Sequence, residues 1–143
     1  MSFDLKIINK DLVLKNGQLR TVIDSEKLIQ DILKICLTNV GSNQLQPGYG
    51  SFISRTLVGS PMHTSVLVQV AKSQLNSCLD NLKSLQERQV KSFQRVSADE
   101  QISAVLDISI LRSVVDPRLF NVTIKAMTKG FKPISTVFNV SPI

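Results

Sequence analysis

His63, Cys36 and Cys78, the glutamates Glu26, Glu87 and Glu100, and the turn Gly48-Tyr49-Gly50-Ser51 are the residues of this chain that could do chemistry. A metal site needs several His, Cys or carboxylate ligands in register. His63 is the one histidine, beside Pro61 at a helix start, and the cysteines have no third ligand type near them. No metal and no cofactor are expected. A nucleophilic triad would require His63 to serve Cys36 or Cys78, and both thiols fall on apolar helical stripes. Glycoside hydrolysis needs two carboxyls across a sugar, one with a raised pKa. Glu26 reads as a first-turn helix residue and Glu87 as a helix surface, which leaves Glu100 with Asp99. Aromatic platforms for sugars are sparse: six Phe, one Tyr and no Trp. The Gly48–Ser51 turn resembles a phosphate cradle but lacks the P-loop lysine and the preceding strand. A turn that docks Tyr49 is the plainer reading. The chain is expected to bind rather than catalyse, with no catalytic residue.

The elements that hold these residues follow from periodicity. Leu12 and Leu14, then Leu19, Thr21 and Ile23, alternate with polar neighbours around Asn16-Gly17, a strong signal for a tight hairpin over 11–23. Asp24 or Ser25 is the expected N-cap of a helix in which Leu28, Ile29, Ile32, Leu33, Ile35 and Cys36 recur at helical spacing. The helix should fade near Thr38. A short helix over Ser51–Val58 is closed by Gly59, and Ser60-Pro61 starts a long helix to about Val90. Val68, Ala71, Leu75, Cys78, Leu82 and Leu85 form its apolar stripe. From Ile102 the period becomes two. Leu106, Ile108 and Ile110, then Phe120, Val122, Ile124 and Ala126, then Ile134, Thr136, Phe138 and Val140 alternate with polar residues. Asp116-Pro117 and Lys129–Pro133 are the turns between them. The expected fold is α+β: helices packed on one face of a small, mostly antiparallel sheet, with an N-terminal hairpin and a C-terminal three-stranded meander. Residues 1–143 are expected to form one domain.

Between Lys34 and Lys72 the only formal charge is Arg55, yet Gly41, Pro47, Gly48 and Gly50 forbid a continuous helix. An uncharged loop ending in Tyr49 and Phe52 should pack against its own domain or another protein. The net charge is +6, spread along the chain. The best basic face, Arg88, Lys91 and Arg95, reads as a solvated helix end, so nucleic acid is not an expected partner. The stretch 35–54 is too rich in Gly, Asn, Gln and Pro to span a bilayer, and the N-terminus shows no long apolar core. Two free buried thiols suit a reducing site of folding, so no membrane partner and no disulfide are expected.

The segment NGQLRTVIDSEKLIQDILKICLTNVGSNQLQPGYGSFISRTLVG, Asn16 to Gly59, resembles the baseplate wedge or sheath-initiator family of contractile-tailed phages, with its type VI secretion counterpart. Family features fall in order at Gly17, Gln30, Thr38, Gly41, Pro47, Tyr49-Gly50 and Gly59. The layout of a long helix followed by strands extends the resemblance to about residues 11–140. Many members carry an acidic-Pro-Arg or acidic-Arg-Ile signature before the first meander strand, used to bind the baseplate core bundle. Here that place reads Asp99-Glu100-Gln101-Ile102, with Gln101 where the family has Arg. A bidentate cation has become a neutral amide, so core binding would draw on Asp99, Glu100, Gln101 and a nearby arginine such as Arg95 or Arg88.

The resemblance implies a non-enzymatic structural role in six copies around a tail axis, with tail sheath subunits and baseplate wedge proteins as partners. It implies a chain made in the host cytoplasm and carried in the virion tail baseplate. The loop motif Pro47, Tyr49 and Gly50 would support the fold and face a wedge neighbour. Ile134, Ser135, Thr136, Val137, Phe138, Asn139 and Val140 carry no charge, so this last strand is the expected sheath-binding edge. The competing reading is that Phe3–Ile8 covers it from within the chain. Two other functions stay open: an anti-adapter-type regulatory domain, and a glycan hydrolase using Glu100 with Asp99.

Overall fold

The computed structural model describes residues 3–8, 11–57, 64–116 and 118–140. Gly59, Ser60-Pro61, His63 and Pro117, named above, lie outside the described residues. Short strands come first: β1 (Asp4–Leu5), β2 (Ile7–Ile8), β3 (Asp11–Leu12), β4 (Leu14–Lys15), β5 (Gln18–Leu19) and β6 (Thr21–Val22). Helices α1 (Asp24–Leu37), α2 (Ile53–Leu57) and α3 (Thr64–Lys91) follow. After a 3-10 turn over Ala98–Glu100 come β7 (Ile102–Arg112), β8 (Phe120–Thr128) and β9 (Pro133–Val140). The last three form an antiparallel meander in the order β7-β8-β9. The architecture is α+β.

One core joins these layers. Leu28, Ile32 and Ile35 of α1, and Ala71, Leu75 and Leu79 of α3, meet the inward row of the sheet. That row is Ile108 and Ile110 of β7, Phe120 through Ala126 at every second position of β8, and Ile134, Phe138 and Val140 of β9. Leu106 breaks the expected alternation. The pairing of β7 with β8 shifts between Ile102 and Ala104 and again between Val105 and Asp107. Ser103 and Leu106 are therefore the extra residues of two bulges, and Leu106 turns outward, 55% exposed.

Two helix-end expectations are corrected. Neither Asp24 nor Ser25 caps α1. Ile23 holds the N-cap position without a side-chain cap hydrogen bond, and Asp24 adopts φ 52°. Its carboxylate accepts instead from Ser97 Oγ at 2.7 Å, which ties α1 to the segment after α3. Pro133 belongs to β9, not to the turn before it.

The Asn16-Gly17 hairpin is present, with Leu14 opposite Leu19 and φ of 54° and 74° at the turn. It is one of three ladders. β1 pairs with β6 and β2 with β3. The residues between the ladders close a backbone ring: Lys6 N–H donates to Arg20 O, Arg20 N–H to Val13 O, and Val13 N–H to Lys6 O. Phe3–Ile8 is thereby consumed in this arm and does not cover β9.

Two-residue ladders are marginal on their own. Among the arm's described residues only Val22 is fully buried, contributing about 1.5–3 kcal/mol. The arm is held by Gln30 of α1, which accepts from Ile7 N–H at 3.0 Å and donates to Leu5 O at 2.8 Å and Asp4 Oδ2 at 3.1 Å. The Asp4–Lys34 ion pair stands beside it. Burial opposes charge on both groups, but Lys34 outweighs it and lowers the Asp4 pKa, while Asp4 and Asp31 raise that of Lys34. The Asp4 contribution is therefore present above the ordinary carboxylate pKa of about 3.9 and lost as pH falls through its lowered folded value. That of Lys34 is complete below about 10.4 and lost as pH rises through its raised value. Gln30→Ala should speed hydrogen exchange across residues 4–22 with α3 and the meander unchanged. Acidification below about pH 4 should release the same amides first. Uniform exchange rates in the variant would refute this anchoring.

Candidate functional site

β9 is the edge of the meander. Ile134, Thr136, Phe138 and Val140 are buried, while Ser135, Val137 and Asn139 face solvent. The direction of its backbone groups follows from the turn. Thr128 N–H donates to Lys132 O at 3.0 Å, and the register continues as Ala126 opposite Ile134 and Ile124 opposite Thr136. Antiparallel pairs alternate between bonded and non-bonded. The backbone groups of Ile134, Thr136, Phe138 and Val140 thus point at β8. Those of Ser135, Val137 and Asn139 point away, to the edge on which no described strand pairs. Pro133 fits the same pattern, since its missing N–H falls on the open side.

The opposite edge is guarded. β7 carries the two bulges and Asp107, and Lys83 Nζ of α3 donates to Ser103 O at 3.1 Å. On β9 the nearest cation, Lys132, reaches back to Ser25 Oγ at 3.1 Å. From 134 to 140 no charge, proline or bulge interrupts the edge.

Asp99, Glu100, Gln101 and Arg95 come together only in part. The Ser97–Glu100 capping box turns Glu100 inward, 1% exposed, with its Oε2 accepting from Ser97 N–H at 3.0 Å. Asp99 accepts from Thr128 Oγ1 at 3.2 Å. Gln101 is buried and donates to Ser97 O at 3.3 Å. Gln86 of α3 clamps the corner, donating to Glu100 O at 2.9 Å and accepting from Ile102 N–H at 2.8 Å. Arg95 alone of the four is exposed. Gln86 and Ser97 were not singled out by the sequence. Their only advance signal was Ser97 standing three residues before Glu100, as a capping box requires.

The loop motif is built into the fold at its end only. Residues 41–48 are exposed, Tyr49 is half-buried, and Gly50 and Ser51 are buried. Gly41 N–H donates to Pro47 O at 3.1 Å, and Asn81 Nδ2 of α3 donates to Gly48 O at 3.1 Å. Gly50 has φ 121°, and a Cβ there would lie 2.5 Å from Thr38 O. That close approach lets Ser51 N–H reach Thr38 O at 2.8 Å and Ser51 Oγ reach Cys36 O at 2.5 Å. The loop thus packs on its own chain through 49–51, while Leu45 and Phe52 stay exposed.

Tyr49 faces a cleft of about 540 Å³ that also meets Asp31, Lys34 and Arg88. Asp4, Lys34, Asp31 and Lys27 on its wall form a paired network. Cys36 and Cys78 are free and buried, and their mutual hydrogen bond, with burial, pushes the Cys36 thiol well above its ordinary pKa. Among the described residues no group of three His, Cys, Asp or Glu could hold a metal ion, and no helix is long and apolar enough to cross a membrane.

No protein-family model matches the chain, and no curated protein matches it. Its fold is that of a solved structure, a "putative tail lysozyme" from Geobacter sulfurreducens. The TM-score is 0.60 at 15% identity, over 93% of this chain and 97% of the other.

Gly50→Ala should lower stability by at least about 2 kcal/mol, because the side chain meets backbone at a φ suited to glycine. A denaturant midpoint within error of the parent would show that the loop tolerates the change.

Proposed function

We propose that this chain is a structural component of a contractile-tail or injection baseplate, and that it nucleates the sheath by accepting a sheath strand on the open edge of β9. The observation that carries this reading is that edge: uncharged over 134–140, held by four buried residues, and offering the backbone groups of Ser135, Val137 and Asn139 in one row. An added strand would complete those groups, with its alternate side chains set against the exposed face. The fold shared with a protein named for a tail supports the same reading. Wedge proteins as further partners, six copies about a tail axis and residence in the particle's baseplate belong to the proposal.

We also propose that the chain acts without catalysis. A general acid or base works with a pKa near the operating pH. Two groups on the wall of the cleft are pushed the other way: burial opposes charge on both, but Lys34 lowers Asp4, and Asp4 with Asp31 raises Lys34. Glu100 and Asp99, the carboxylates a hydrolase would use, hold the corner before β7 together.

Deleting the strand would remove Phe138 and Val140 from the core, so the test needs a single outward position. Val137→Pro removes an N–H from the open side and leaves the ladder to β8 intact. The chain should fold within about 1–2 kcal/mol of the parent and enter baseplates that carry no sheath. Phe138→Pro, which removes an inward N–H, should prevent folding. Normal sheath on Val137→Pro baseplates would end the strand-addition reading.

A further inference from the structure

Two phenylalanines occupy backbone positions where glycine or asparagine is the ordinary choice. Phe93 has φ 60° and Phe131 has φ 62°, and their side chains are 95% and 83% exposed. A bulky residue with positive φ is an outlier, and nothing in the described chain packs on either ring to explain it. Phe93 sits at the left-handed position that closes α3. Its N–H donates to Val90 O, and Gln94 N–H donates to Gln89 O, a Schellman ending. Phe131 sits at the left-handed position of the β8–β9 turn, where its N–H donates to Thr128 O. The adjacent Gly130 answers a different need: a Cβ at 130 would collide with Asp99 Oδ1.

Both rings stand at one end of the molecule. Lys129 N–H donates to Gln101 O, and Thr128 Oγ1 to Asp99, so the β8–β9 turn is bonded to the segment that follows Phe93. The exposed cations here are Lys91, Arg95, Lys129 and Lys132. None forms an ion pair among the described residues, so all four charges are available to a partner. Backbone strain held with an exposed ring marks a place where the ring itself is used.

We infer that Phe93 and Phe131, flanked by Arg95 and Lys129, form a second docking surface for an acidic protein segment with an apolar face. The rings enter apolar pockets of that segment, and the cations meet its carboxylates. A protein fits better than nucleic acid: the rings project from two separate turns, not from one platform on which successive bases could stack. Phe131 stands two residues before β9 begins at Pro133, so the surface adjoins the end of that strand, while Phe93 belongs to the end of α3. The inference rests on the proposed baseplate role only in that the segment belongs to the same assembly.

Photocrosslinking reads this directly. p-Benzoylphenylalanine in place of Phe93 or of Phe131, in the full chain within assembled particles, should join it to a non-sheath protein at a segment rich in Asp and Glu. Crosslinks to nucleic acid, to sheath, to a second copy of this chain or to a basic segment, or none at all, would overturn the inference. The double variant Phe93→Asn, Phe131→Asn keeps a residue type that tolerates the left-handed backbone. It should melt a few degrees higher than the parent and enter particles at least tenfold less. Parental incorporation would also overturn the inference. Absence of the unmodified chain from sheathed particles would instead refute the baseplate role, and the crosslink would still be read in whichever assembly holds the chain.

Discussion

The constraint on which this molecule turns is the two-residue period of β9. Four side chains on its inner face close the core against α1 and α2, and that burial fixes the register against β8. Once the register is fixed, the direction of every backbone group on the strand is fixed too. The open edge is therefore not a frayed border. A slip by one residue would carry Phe138 and Val140 into water, at a cost of about 1.5–3 kcal/mol each. The same packing that stabilises the domain holds the outward N–H and C=O groups of Ser135, Val137 and Asn139 in a straight row.

A strand held in one register is also secured at its ends. The end near Pro133 is secured by a polar knot, not by apolar packing. Thr128 serves Asp99 and Lys132 together, Gln86 bridges Glu100 to Ile102, and Ser97 links Glu100 to Asp24. Buried polar groups satisfied in this way specify one geometry, because each alternative leaves a group without its bond. Glu100 and Asp99 thus take part in joining α1, α3 and the sheet. The N-terminal arm is attached differently, by Gln30 and one ion pair over a nearly coreless base, so it is the part of the chain best able to move independently of the sheet.

Much of this was legible in the sequence where one strong local rule acts alone. Asn16-Gly17 announced its turn, the stripe from Val68 to Leu85 its helix, and the alternation from Phe120 to Val140 two strands with their inward faces. What was illegible depends on neighbours distant in sequence. Leu106 has the right spacing for the core and leaves it because two bulges intervene. Asp24 has the chemistry of a cap and is drawn off by Ser97. Phe3–Ile8 could have covered β9, and pairs with β3 and β6 because the hairpin lies closer along the chain. The edge residues 134–140 were readable as an uncharged strand, but which of them turn their backbone outward required the Thr128–Lys132 bond. Phe93 and Phe131 carried no sequence signal, since nothing in a composition or a period marks a left-handed phenylalanine.

These departures share a direction. Protection against unwanted edge pairing would place Lys or a bulge on β9, as the β7 edge shows this fold can do, and stability alone would place Gly or Asn at 93 and 131. The chain does neither: the exceptions are the β9 edge, the β8–β9 turn and the end of α3, all on elements that contribute to the core. A surface that must meet partners in a fixed relation to one another is best carried on the rigid layer, because any movement between two docking points would be lost from both. The N-terminal arm carries exposed leucines, but its backbone groups are taken up by its own ladders and ring, which is why the proposed recognition is placed on the sheet.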